Sequence, residues 1–207
     1  RRPTVAVISR AASRHVGALV DQCRRAGAPL VLHLDDDLFA VPQELGASKV
    51  ARHNAPARIA RLTIAARRAD LIYASTAALA ERLRARFPDK QVMGGEIYAA
   101  AQEPFAPFRP ATPPVIGYMG TAGHAADLAS IAPAIARVMD RRPDVAFATF
   151  GTIKPPKELA RFAGRVRSHP KAETYAAFVE RLKGLGWSVG LAPLLASDFN
   201  RCKADTK

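Results

Sequence analysis

Three consecutive carboxylates, Asp35, Asp36 and Asp37, follow the apolar strand-like run 30–34 in the string LHLDDDLF. Acidic groups this close repel one another when ionised, so each must find a cation, hold a proton or turn away. Three chemistries are open to them. Asp35 and Asp37 spell DxD, and clustered oxygens are what a divalent ion requires. A carboxylate at a strand end can also remove the proton from an attacking hydroxyl or hydrogen-bond an acceptor. Alternatively, the trio only ends the strand in a turn. Successive strand residues point to opposite faces, so three in a row reach one ion only if they lie in a turn. Asp35 and Asp36 are read as the catalytic or acceptor-side pair, Asp37 as the cap of the turn into Leu38 and Phe39, and no metal ligand is assigned.

A second group of candidates lies further along. Gly120, Thr121, Ala122, Gly123 and His124 form a glycine-containing turn between an apolar run and a helical stretch. Such a turn lets backbone N–H groups approach a phosphate. It is neither GxGxxG nor a Walker A loop, so a plain tight turn is the alternative. His124 can donate to a phosphate or a sugar hydroxyl, or can sit on the surface at a helix start. Asp127, in the first turn, complements the helix dipole. Gly151 ends another apolar run, and Lys154 after it either neutralises a diphosphate or is an exposed lysine. Arg201, Lys203 and Lys207 follow the final apolar run. No HExxH occurs, and no Ser-His-Asp arrangement can be assembled.

Positioning these groups requires strands that end at them. Short buried runs at 5–8, 30–34, 71–74 and 91–93 alternate with helical periodicity at 16–23, 55–68 and 76–87. Gly27 supplies a helix stop, and Ser75 or Thr76 supplies a cap. Five prolines then interrupt residues 103–114. Alternation resumes with strands at 115–118, 145–150, 165–167 and 187–191. The helical stretches between them include a stripe of Leu128, Ile131, Ile135, Val138 and Met139. Strand-helix alternation on both sides of a proline tract predicts two parallel-sheet α/β units. Their expected limits are 1–103 and 115–207, joined by a linker at 104–114. Ligands in such sheets sit outside the carboxyl ends of the strands, where every candidate above falls. No helix is expected to complete the second unit after residue 191.

Bulk properties narrow the partners. The chain has 207 residues, 49% of them hydrophobic, and a formal charge of +13. That balance suggests anionic partners. The arginines are dispersed, with no zinc finger and no aromatic-spaced RNA signature, so nucleic acid is not expected. The basic helix with Arg58, Arg61, Arg67 and Arg68 is a candidate face for an acidic membrane leaflet, a solvated face being the alternative. Cys23 and Cys202 are read as reduced thiols of a cytoplasmic protein.

The segments AGAPLVLHLDDDLFAVP, RRADLIYASTAALAERL, VIGYMGTAGHAADLASIAPAI and GWSVGLAPLLASDFNRCKADTK, in this order, resemble glycosyltransferases of the GT-B fold. More narrowly, they resemble the bacterial glycosyl transferases of group 1 that build O-antigen and other surface polysaccharides. The resemblance implies two Rossmann-like domains facing a cleft. It implies a nucleotide-diphosphate sugar as co-substrate, held mainly by the second domain, and a saccharide or lipid-linked acceptor. No cofactor and no required metal are implied. Gly120, Thr121, His124, Gly151, Lys154 and Lys203 become the expected donor-binding residues, and Asp35 and Asp36 the expected catalytic ones. The expected location is the cytoplasm, peripherally at the inner face of the membrane.

The chain also departs from that pattern. Asp35 and Asp36 stand where the family often has a His-Asp pair. Only Asp198 could replace the first of the family's paired glutamates, and the second is absent. The chain is therefore expected to be incomplete at both ends, to begin inside a larger product and to be weak or inactive alone. A nucleotide-sugar sensor and a sugar-nucleotide epimerase are the alternative functions.

Overall fold

The computed structural model describes residues 3–96 and 110–204. These divide into two compact units, one of residues 3–96 with 196–204 and one of residues 110–195. The linker expected at 104–114 falls mostly outside the described residues.

In the first unit four parallel strands lie in the order β1-β2-β3-β4, namely Ala6–Ser9, Leu30–Leu34, Leu71–Ala74 and Val92–Gly94. Each new strand joins the same edge. Right-handed crossovers then put every connecting helix on one face. Burial follows that rule. Ile8, Leu30, Leu32, Leu34, Ile72 and Ala74 are buried toward the helices, whereas Val7 and Met93 are 62% and 50% exposed. The helices are α1 (Val16–Arg25), α2 (Ala47–His53), α3 (Pro56–Arg68) and α4 (Ala77–Arg86). The first helix presents Val16 and Val20 to the core and is followed by Gly27 at φ +69°. The third starts on Pro56, whose missing N–H costs nothing at a first helical position. The fourth is capped by Thr76, whose side-chain oxygen accepts from the Leu79 N–H at 3.1 Å. Full burial of side chains such as Leu62, Leu79 and Leu83 contributes about 1.5–3 kcal/mol each.

In the second unit the order is β7-β6-β5-β8, with β5 at Val115–Gly120, β6 at Ala146–Gly151, β7 at Val166–His169 and β8 at Val189–Leu191. All pairs are parallel. Counted from its own first strand, this is the 3-2-1-4 order that opens a Rossmann sheet. The β7 strand, near the strand expected at 165–167, lies at the edge of the sheet. Helix α5 (Ala125–Arg141) buries Leu128, Ala132, Ile135, Ala136 and Met139 on a core with Tyr118, Phe147 and Leu159. Val138, expected in that stripe, is exposed. Helix α6 (Tyr175–Gly184) starts from Thr174, and its Phe178 stacks on Phe150 at 5.3 Å.

Two features differ from the sequence expectation. Helix α2 was not expected, because its seven residues bury only Val50. Residues 196–204 do not extend the second unit. They form helix α7 (Asp198–Arg201), which packs on the first unit. Cys202 is 0% exposed within the first unit's core, and its carbonyl accepts from the Thr76 hydroxyl at 3.1 Å. The second unit expected at 115–207 therefore ends at 195. Burial also pushes the Cys202 thiol up, with Asp37 as a further cause. Thiol titration of the native protein is therefore expected to modify half-buried Cys23 while sparing Cys202 until denaturant is added. Equal rates for both would detach α7 from this core.

Candidate functional site

The first sheet ends in the acidic turn, and its three carboxylates separate. Arg10, the residue after β1, bridges two of them: Nη1 meets Asp35 Oδ2 at 3.0 Å and Nη2 meets Asp36 Oδ2 at 3.3 Å. Arg10 holds φ +54°, a left-handed conformation uncommon for a non-glycine residue. Burial, then the neighbouring Asp35, pushes the Asp36 carboxyl above the usual carboxylate range. Arg10 and Lys203 oppose this. The cause is mainly desolvation of the charged form. Asp36 is thus a carboxyl whose proton affinity suits a general base better than that of an exposed aspartate.

Asp37 turns elsewhere. Its Oδ1 accepts from the Phe39 N–H at 3.2 Å, the turn cap expected of it. Its Oδ2 accepts from Arg82 Nε at 2.8 Å, and Arg82 also reaches Asp198 of α7 at 3.6 Å. The DxD pair therefore diverges, Asp35 to Arg10 and Asp37 to Arg82. Among the described residues no group of three or more His, Cys, Asp or Glu is arranged to hold a metal ion.

Register brings His33 beside Ser9, and Ser9 Oγ lies 2.9 Å from His33 Nδ1. His33 Nε2 is shut from solvent with no hydrogen-bond partner among the described residues. The carboxyl ends of β3 and β4 border a cavity of about 440 Å³ lined by Ser75, Thr76, Ala77, Gly94, Gly95, Glu96 and Lys203. Sequence reasoning passed over His33 and the Gly94-Gly95 pair. Strand alternation, which puts His33 opposite Leu32 and Leu34, was the signal for the first.

In the second unit the strand order reverses between β5 and β8. That switch point is where a parallel sheet leaves a crevice for a ligand. Gly120 ends β5, and Thr121, a short turn of helix at Ala122–His124 and then α5 follow. Asp127 ties the loops together. Its Oδ2 meets His124 Nδ1 at 2.8 Å, and its Oδ1 accepts from the Leu195 N–H, beyond β8, at 2.9 Å. Burial, then the Asp127 charge, pushes the Tyr118 hydroxyl up to about 12. Gly151 holds φ +121°, and a Cβ there would lie 2.2 Å from the Gly120 carbonyl oxygen. That oxygen accepts from the N–H groups of Thr152 and Ile153 at 3.1 and 3.2 Å. Thr152 Oγ1 in turn accepts from the Ala122 N–H at 3.0 Å. Gly120, Thr121, His124, Gly151 and exposed Lys154 thus lie at the carboxyl end of one sheet. Lys203 belongs to the first unit, with its ammonium 5.2 Å over the Phe199 ring.

The strand orders define an α/β protein with two four-stranded parallel sheets, the second in Rossmann order. No protein-family model matches the chain, and no curated protein sequence matches it. Solved structures that it resembles include accessory secretory proteins 1, 2 and 3 of Streptococcus pneumoniae, at 11% identity and TM-score 0.48, over 93% of this chain and 41% of that one. Another is TarM, at 11% identity and TM-score 0.47, over 71% and 29% of the two chains. A third is a UDP-glucosyltransferase from Polygonum tinctorium, at 15% identity and TM-score 0.43, over 97% and 60%. The chain spans less than two thirds of each. Likeness of this degree adds nothing to the strand orders, on which the class rests.

Proposed function

We propose that the protein is a glycosyltransferase that moves a sugar from a nucleotide-diphosphate sugar to an acceptor hydroxyl, in surface-polysaccharide or glycolipid synthesis. The observation that carries this reading is the switch point of the second sheet, where Gly120, Thr121 and His124 gather at the reversal of strand order. The ordered sequence segments that resemble GT-B enzymes support it independently. In this reading the diphosphate lies along the Gly120–Thr121 turn, with His124 and Lys154 as donors. Asp36 takes the acceptor hydroxyl proton as that oxygen bonds to the anomeric carbon. The bond from that carbon to the phosphate oxygen breaks, and the nucleoside diphosphate leaves with the electron pair. Cations near the phosphates stabilise the departing charge. The reading needs no resident metal.

Among the described residues no helix is long and apolar enough to cross a membrane. A peripheral contact at the cytoplasmic leaflet is part of the proposal. Arg67 on α3 would carry it, because Arg68 pairs with Asp21 and Arg58 and Arg61 are half-buried.

Thermal-shift titration with UDP-, GDP-, TDP- and ADP-sugars tests the donor assignment. At least one is expected to raise Tm, and less so in a His124→Ala, Lys154→Gln double variant. A flat response to all four would overturn the reading.

A further inference from the structure

Beside the acidic turn the first unit gathers cations. Arg10 comes from the end of β1, Lys49, Arg52 and His53 from α2, and Arg58 from the first turn of α3. His53 is held below the usual imidazole range by burial, then by Arg58, Arg52, Arg10 and Lys49. Arg58 is lowered by burial, then by Arg52 and Arg10. The only ion pairs in this group, among the described residues, are those of Arg10 with Asp35 and Asp36. Two polar atoms are shut from solvent there with no partner among the described residues: His53 Nδ1 and Arg58 Nε.

Leaving such atoms unpaired is costly, and like charges packed together add to the cost. Arg10 adds backbone strain at φ +54°. Strain of this kind persists where surrounding structure enforces it, and it clusters at ligand sites. A tetrahedral dianion answers the first two costs: it accepts from several donors at once and cancels the repulsion. Arginine suits it because its guanidinium fork matches phosphate oxygens.

We propose that Arg52, His53 and Arg58, with Arg10 at their border, form a phosphate-binding site, and that the phosphate is carried by the acceptor whose hydroxyl meets Asp36. The phosphate site stands on the cluster itself; its link to the acceptor rests on the glycosyltransferase reading. Arg10 pairs with Asp36, and its charge acts on His53 and Arg58, so an acceptor anchored on the cations has its reacting end toward the carboxylate. Two sources share this chemistry: a soluble sugar or polyol phosphate, and the phosphate of a lipid-linked acceptor.

The test is NMR titration of the His53 imidazole, assigned with His53→Gln, as methyl phosphate is added. Bound phosphate favours the charged ring, so the midpoint of His53 is expected to rise. Arg58→Met and, separately, exposed Arg52→Gln are expected to weaken methyl phosphate binding by about tenfold or more. Exposed Arg25→Gln on α1 is expected to bind as the unaltered protein does. Flotation with phosphatidylglycerol vesicles in phosphatidylcholine gives the second arm. Vesicle binding lost in Arg52→Gln, with weak methyl phosphate binding, supports a lipid-linked source. Methyl phosphate binding without vesicle binding supports a soluble one. An unmoved His53 midpoint, together with vesicle binding that ignores Arg52, would overturn the site. Nucleotide-sugar thermal shifts report on the second unit, so failure of the donor reading and failure of this site are separately visible.

Discussion

Asp36→Asn is expected to lower sugar transfer by roughly 10²–10⁴-fold while leaving the nucleotide-sugar thermal shift unchanged. The amide keeps the size of the carboxyl and still accepts from Arg10, but it cannot take a proton. Two pH signatures separate this from misfolding. The rate of the unaltered protein should rise with pH through the Asp36 titration, because only the ionised form is a base. That limb lies above the ordinary carboxylate range because burial and Asp35 raise Asp36, and it should vanish in Asp36→Asn. Stability runs the other way. The native state holds the Asp36 proton to higher pH than the unfolded chain does. Asp36 therefore withdraws stability as pH rises from the unfolded value through the raised folded one. The variant is accordingly expected to be no less stable at neutral pH. Full transfer activity, or a large drop in Tm, would remove Asp36 from the chemistry.

Gly151→Ala is expected to lose about 3 kcal/mol of stability, through backbone strain and a clash that only main-chain movement relieves. The new methyl would sit 2.2 Å from the Gly120 oxygen. Relief requires the ends of β5 and β6 to part. That breaks the Thr152 and Ile153 bonds to Gly120 and then the Thr152 bond to Ala122. Nucleotide-sugar affinity should fall with stability, because the same carbonyl holds the Gly120–Thr121 turn. Gly164→Ala is the control, since a Cβ there meets nothing within 4 Å. Urea unfolding of both variants decides it, and equal midpoints would refute the role given to Gly151.

Much of this was legible in the sequence for local reasons. The apolar run 30–34 bounded by Pro29 and aspartates can be little but a buried strand. Thr76 before an apolar helical stretch is a cap, and Gly27 is a stop. The proline tract separates two alternations, and the carboxyl-end rule then puts Asp36 at the end of one sheet and Gly120 and Gly151 at the end of the other without any contact being known. What escaped depends on pairings distant in sequence. Helix α2 buries one apolar side chain, so no periodicity announced it; Asn54, whose side chain brackets the Val41 backbone, holds its end. That Arg10, at a strand end, bridges Asp35 and Asp36 became visible only once β1 and β2 were in register. Phe199 and Cys202 follow the last strand of the second unit, and composition does not say whose core a phenylalanine joins.

The attachment of α7 has a consequence for how the protein is made. The second unit is continuous in sequence, whereas the first needs residues 196–204, synthesised after all of the second. A ribosome usually releases folding units in the order it makes them. Here the earlier sheet waits, its Thr76 hydroxyl and Arg82 without their α7 partners, while the later one can close. A released chain that stops at residue 195 should therefore carry a protease-resistant second unit and a first unit that is still labile.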